Sequence, residues 1–134
     1  MPLLKREVLA IATETDVVLV RQAVRKLCIE QGFSLVDQTK FVTAASEIAR
    51  NTLEYGGGGE ATLETHLEGM RKGVRAVFVD RGPGIPSLED AMRDGFTTGG
   101  GMGHGLGGAK RLVEQFDIRS TVGVGTTVTI ARWK

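Results

Sequence analysis

Apolar residues recur at helical spacing over two long stretches in the first half of the chain. Val17, Val20, Val24, Leu27 and Cys28 share one helical face, between Asp16, an acid suited to capping, and Gly32, where the pattern stops. A second helix is expected from a cap at Asp37 to about Tyr55, ended by the glycines at 56–59. At about 100° per residue, Phe41, Ala44, Ala45, Ile48, Thr52 and Tyr55 fall within a narrow arc, the expected core face. Strand patterns occupy Glu7–Ala12, Ala61–Leu67 and Val74–Asp80, with a turn at Gly69–Gly73 between the last two. A short helix is expected from Ser87 to about Arg93. Another runs from about Leu106 to Gln115, with Leu106, Ala109, Leu112, Val113 and Phe116 on one face. The chain closes with "FDIRSTVGVGTTVTIARW", two strands around a Gly123–Gly125 turn. The order β-α-α-β-β-α-α-β-β predicts a two-layer α/β sandwich, its antiparallel or mixed sheet covered by helices on one face.

Composition narrows the classes. A chain of 134 residues with 41% hydrophobic content suits one domain spanning 1–134. The 17 Lys and Arg nearly balance the 16 Asp and Glu, which gives no reason to expect nucleic acid or an acidic membrane as partner. The single cysteine, Cys28, excludes internal disulfides and cysteine-rich metal sites, and its place in an apolar helical pattern predicts a buried, inert thiol. No apolar run approaches the ~20 residues of a membrane helix, and the N-terminal run is too short for a signal peptide. A cytoplasmic setting is the expectation.

Three stretches could carry chemistry. In the second helix, Glu47 and Asn51 lie four apart and stack on each other, about a quarter-turn from the core arc. That is the rim, where ordinary surface residues and the wall of a cleft look alike, though a mid-helix Asn has poor intrinsic propensity. In "VFVDRGPGIP" a strand ends in an acid, Asp80, followed by Gly82, Pro83, Gly84 and Pro86. A simple turn accounts for the glycines and prolines. A carboxylate at the end of a buried strand also needs a donor, and an exocyclic amine such as N6 of adenine suits it, with glycines that let a flat base approach the backbone. In "GGGMGHGLGG" seven of ten residues are glycine, and the run merges with an amphipathic helix. A linker has no reason to do so. Backbone N–H groups presented at a helix start form an anion site, here without the Walker A or Rossmann spacing.

Together these stretches resemble the signature boxes of the GHKL ATPase/kinase superfamily, whose members have the Bergerat ATP-binding fold with a mixed, mostly antiparallel sheet. "EIARN" resembles the N box, "DRGPG" the first glycine box, "GHGLGGAKRL" the second, and "GVGTTVTI" the last strand segment with its threonine. Within that group, "SEIARNTLEYGGG" and "GLGGAKRLVEQFDI" most resemble the RsbT-type switch serine/threonine kinases of bacterial partner-switching modules. The resemblance implies ATP or ADP with Mg²⁺ as ligands. Asn51 would coordinate Mg²⁺, and Asp80 would bind the adenine amine, with Gly84 beneath the base, Gly82 of the same box among the cofactor-binding residues, and Thr126 near the same pocket. Gly101, Gly103, Gly105, Leu106 and Gly107 would form the lid and phosphate cradle, with His104 a polar loop residue beside a phosphate. Glu47 would take the proton from the acceptor hydroxyl, or would order water around the metal. Lys110 and Arg111 could reach phosphates or line a solvated face.

The same resemblance implies STAS-domain antagonists as substrates and sequestering partners, and a PP2C-type phosphatase as the output of the freed kinase in a stress response. Two alternatives share the fold: an anti-sigma factor kinase that binds a sigma factor directly, and a nucleotide-binding module without catalysis. The anti-sigma kinases carry a different second glycine box. A detached histidine-kinase domain is disfavoured, because the stretch before Glu47 reads as one strand and one and a half helices, not paired helices bearing a phosphoacceptor histidine.

Overall fold

Both long helices start one turn before the acids that the sequence pattern suggests as caps. In the computed structural model, which describes residues 3–92 and 105–134, Thr13 Oγ1 accepts the Asp16 N–H at 3.2 Å. The Asp16 carboxylate in turn accepts the Thr13 N–H at 3.2 Å, and this reciprocal box opens α1 (Glu14–Glu30). Ser34 Oγ likewise accepts the Asp37 N–H at 3.1 Å and opens α2 (Leu35–Glu54). Asp16 and Asp37 therefore stand within the first turn, where negative charge suits the helix N-terminus.

Five strands form one sheet: β1 (Leu3–Ile11), β2 (Gly59–Glu68), β3 (Arg71–Asp80), β4 (Gln115–Thr121) and β5 (Gly125–Trp133). Their order is β1-β2-β3-β5-β4, and each described ladder is antiparallel. The chain leaves β3 at Asp80, passes through α3 (Leu88–Ala91) and α4 (Gly105–Lys110), and returns at the far edge as β4. β5 then fills the gap beside β3. The element order is the expected one.

Several boundaries differ. β2 runs on to Glu68 and β3 begins at Arg71, so their turn is shorter than the expected Gly69–Gly73. β1 begins at Leu3 rather than Glu7, and its early residues are exposed, so no alternation marks them in the sequence. α4 ends at Lys110, not Gln115: the Leu112 N–H closes a turn on the Ala109 carbonyl, and the Glu114 N–H reaches Ala131 O at 3.2 Å to start the edge pairing. Phe116, expected on the helix, lies on β4 opposite Ile130. Its spacing from Leu112 and Val113 fits helix and strand equally over so short a run.

The core lies between the helices and one face of the sheet. Val17, Val20, Val24, Leu27 and Cys28 of α1 meet Phe41, Ala44, Ala45 and Ile48 of α2 over the inward residues of β2, β3 and β5. Fully buried Phe41, Ile48 and Phe78 contribute roughly 1.5–3 kcal/mol each by leaving water, and this fixes the rotation of α2 about its axis. Tyr55 departs from the expected arc. It caps the end of α2 and is 37% exposed, turned to a cleft instead of the core. Cys28 is fully buried, as expected, and burial pushes its thiol up to about 12.

Arg132 ties three parts together, donating from Nη2 to Asp37 Oδ1 at 2.8 Å and from Nη1 to Leu112 O at 3.2 Å. This holds the segment after α4 against the start of α2. On the opposite face of the sheet, Trp133 lies over Gly73, where a Cβ would collide with the indole ring. Among the described residues no helix is long and apolar enough to cross a membrane.

Candidate active site

The C-terminal half of α2, the ends of β3 and β5, and the start of α4 meet at one end of the sandwich. They enclose a cleft of about 790 Å³, its solvent-facing mouth included. Asn51, Asp80, Gly84, Gly105, Leu106 and Thr126, each singled out from the sequence, line it together. Glu47, Gly82 and Gly107 are not part of the lining. Gly101, Gly103 and His104 lie outside the described residues.

Asn51 is held at the rim because its helix buries Ile48 and Thr52 on either side of it. Its Oδ1 is buried and has no hydrogen-bond partner among the described residues, while Gly105 of α4 stands opposite, leaving a Cβ position 3.8 Å from Nδ2. A buried amide oxygen without a donor costs stability unless something else uses it. It is a hard oxygen donor of the kind Mg²⁺ accepts, so the residues present fit that ion. Glu47 lies one turn earlier on the same helix, half-buried, and pairs with no cation among the described residues. The neighbouring Arg50 is engaged with Glu14 of α1 at 3.4 Å.

Asp80 ends β3 opposite Gly59 of β2 and Thr126 of β5. Its Oδ1 accepts the Gly82 N–H at 2.9 Å, which fixes the carboxylate and leaves Oδ2 toward Gly56 and the cleft. The crowding explains the glycines. A Cβ on Gly56 would land on the Asp80 carboxyl group, and one on Gly82 would come within 2.6 Å of Gly56 Cα. Gly84 has φ +78°, and a Cβ there would stand 2.9 Å from Val122 Cα at the β4–β5 turn. The Gly123 N–H donates to Pro83 O at 2.8 Å and locks that turn to the loop. The "DRGPGIP" stretch is thus a turn and also one wall of the cleft.

Thr126 is buried, with its Oγ1 2.7 Å from Ser120 Oγ on β4. Ser120 Oγ also accepts the Ile85 N–H at 2.7 Å. Sequence reasoning missed both Ser120 and Gly56. Gly56 looks like part of a generic helix stop, and Ser120 meets its partners only across strands, so neither carries a local signal. On α4, Gly105 has φ +30°, Leu106 is 6% exposed, and Gly107 is buried behind them. Lys110 is exposed at the helix end.

The cleft sets a carboxylate fixed at a strand end against a helix whose buried amide oxygen has no partner among the described residues. The chain belongs to the histidine kinase-, DNA gyrase B- and HSP90-like ATPase family, whose model matches residues 36–134. Within that family it groups with the serine/threonine protein kinases: it is 43% identical over 123 residues, 92% of each chain, to serine/threonine-protein kinase RsbT of Bacillus subtilis (strain 168). Among solved structures it is similar to the RsbU and RsbW domains of a Mycobacterium tuberculosis protein, with TM-score 0.66 and 26% identity. That match covers all of this chain and 33% of the other. The histidine kinase domain of a blue-light activated kinase from Erythrobacter litoralis shares the fold, with TM-score 0.53 and 17% identity over 88% of this chain and 59% of that one.

Proposed function

We propose that this chain transfers the γ-phosphoryl group of ATP to a serine or threonine of a STAS-domain antagonist in a cytoplasmic partner-switching module. When released from that antagonist, it activates a PP2C-type phosphatase. One observation carries the catalytic part: Asn51 Oδ1 and the Glu47 carboxylate, both without a partner among the described residues, lie one helical turn apart beside a cleft that ends in Asp80. Similarity to a serine/threonine-protein kinase along nearly the whole chain supports the reaction class.

Asp80 accepts the adenine amine through Oδ2, with Gly84 keeping the backbone flat against the base and the Gly82 N–H holding the carboxylate. Asn51 would hold Mg²⁺, and the ion would offset phosphate charge when bound. The start of α4 presents N–H groups to the phosphates. Glu47 accepts the proton of the incoming hydroxyl as its oxygen bonds to the γ-phosphorus, and ADP departs with the electrons of the broken P–O bond. Its place outside the cleft lining suits a group that meets the protein substrate rather than the nucleotide.

The test is Glu47→Gln, which keeps shape and polarity but cannot accept a proton. With labelled ATP and a STAS-domain protein, transfer should fall roughly 10²–10⁴-fold while ATP binding and capture of the partner persist. Wild-type transfer in the variant would reduce Glu47 to a water-ordering residue. Failure of the native chain to bind or phosphorylate any STAS protein, with capture of a sigma factor instead, would favour the anti-sigma alternative.

A further inference from the structure

α4 cannot hold its own place. It has six residues, three of them glycine, so it is too short to stand alone in water and rich in the poorest helix former after proline. Leu106 and Ala109 pack inward, but apolar contact is non-directional and resists lifting more than sliding. A directional tie stands at the far end. Arg132, on the helix-facing side of β5, donates from Nη1 to Leu112 O just past α4 at 3.2 Å. Its Nη2 donates to Asp37 Oδ1 in the first turn of α2 at 2.8 Å. The two side chains are only 18% and 33% exposed, so water screens this pair less than an ordinary surface one. Arg132 Nε is buried without a partner among the described residues, so the two Nη contacts are what hold the guanidinium.

Arg132 is remote from the cleft. It lies six residues along β5 from Thr126, roughly 20 Å, and does not line it. The two helices it joins converge on the cleft at their other ends. α2 runs on from Asp37 to Asn51, and α4 starts at Gly105, where a Cβ would stand 3.8 Å from Asn51 Nδ2. The wall around Asp80 is anchored separately, by the Gly82 N–H on its carboxylate and the Gly123 N–H on Pro83 O.

We propose that Arg132 is a positioning residue for the phosphate side of the cleft. By fastening the end of α4 to the start of α2, it keeps Gly105 and Leu106 at their distance from Asn51, and it touches no nucleotide itself. The proposal rests on the nucleotide reading, in which Asp80 takes the base and Asn51 the metal beside the phosphates. Loosening the tie lets α4 slide along α2, which alters the space around the phosphates and leaves the base wall where it was.

The measurement is calorimetric binding of ATP with Mg²⁺, and of AMP, to the native chain, Arg132→Met, Asp37→Asn and the double variant, with thermal melts alongside. AMP keeps the base and lacks the two outer phosphates. Arg132→Met should weaken ATP binding about 10-fold and leave AMP within about twofold. Asp37, left without its partner, still sits at a helix N-terminus that favours negative charge, so the variant folds. Asp37→Asn, which spares the tie to Leu112 O, should weaken ATP about threefold, and in the methionine background it should add less than about twofold. Arg132→Lys keeps the charge but loses the fork; its ATP affinity should fall between native and methionine, and it keeps the test available if the methionine variant folds poorly. Equal weakening of ATP and AMP, native ATP affinity in the methionine variant, or an undiminished Asp37→Asn effect in that background would make Arg132 a structural brace only and overturn the proposal. A native chain that binds neither nucleotide would overturn the nucleotide reading itself.

Discussion

Asp80→Asn changes one atom of the side chain and tests the base-binding wall of the cleft. The native carboxylate accepts the Gly82 N–H at Oδ1, 2.9 Å away, and in the proposed reading its Oδ2 accepts from the amine of a bound base. Asparagine has one acceptor and one donor head. If its oxygen keeps Gly82, its NH₂ faces the amine, donor against donor. If it flips, the NH₂ faces the Gly82 N–H instead. Rotation out of the way is blocked, because Gly56 packs directly against the Asp80 side chain. One hydrogen bond to a charged acceptor is therefore lost in either orientation, about 1.5–3 kcal/mol. At about 1.4 kcal/mol per tenfold, ADP should bind roughly 10- to 150-fold more weakly. Calorimetric titration with ADP, with the thermal transition of each protein recorded alongside, checks it. A folded variant with ADP affinity within threefold of native would show that the carboxylate does not meet the base.

Asn51→Ala removes a buried oxygen that has no partner among the described residues, so its melting temperature should stay level or rise slightly while Mg²⁺-dependent transfer is lost. Thermal melts and a Mg²⁺ titration of transfer would read both, and full activity at ordinary Mg²⁺ would refute the assignment. Gly56→Ala puts a methyl group where the Asp80 carboxyl group sits, so ADP affinity should fall at least tenfold although no binding group is deleted. Unchanged affinity by calorimetry would mean that Asp80 can move aside. Cys28 should resist thiol reagents in the native state up to about pH 9 and react only on unfolding, and rapid native labelling would contradict its burial. Because its folded pKa of about 12 exceeds the ordinary 9.0, its contribution to stability is whole below pH 9 and declines as pH rises toward 12, measurable by denaturant titration.

What the sequence made legible follows from how local each signal is. The core faces of α1 and α2 were plain because Val17 to Cys28 and Phe41 to Thr52 repeat at helical period over many residues. Asp80 and Asn51 stand out as residue types odd for their element, Thr126 enters only through the family resemblance, and all three line one cleft. The caps were misplaced because Thr13 and Asp16 form a reciprocal pair in which either residue satisfies the same pattern. The end of α4 was overrun because Leu112, Val113 and Phe116 pack inward in a turn and a strand as well as they would in a helix. Ser120 and Gly56 were invisible for a different reason. Their roles exist only once β4 lies beside β5 and the end of α2 lies against Asp80.

α2 carries Glu47 and Asn51 on one flank and Phe41, Ala45 and Ile48 against the sheet on the other. Four residues of helix set the two functional side chains about 6 Å apart along the axis, a spacing no loop can alter. In the proposed reading the reaction geometry is therefore written in the packing of the molecule's interior. Damage to that interior, whether by heat or by trimming the buried Phe41, would shift this flank and blunt turnover. In such a molecule, loss of catalysis is the early warning of unfolding, and a worn core announces itself as a slow enzyme before it becomes an aggregate.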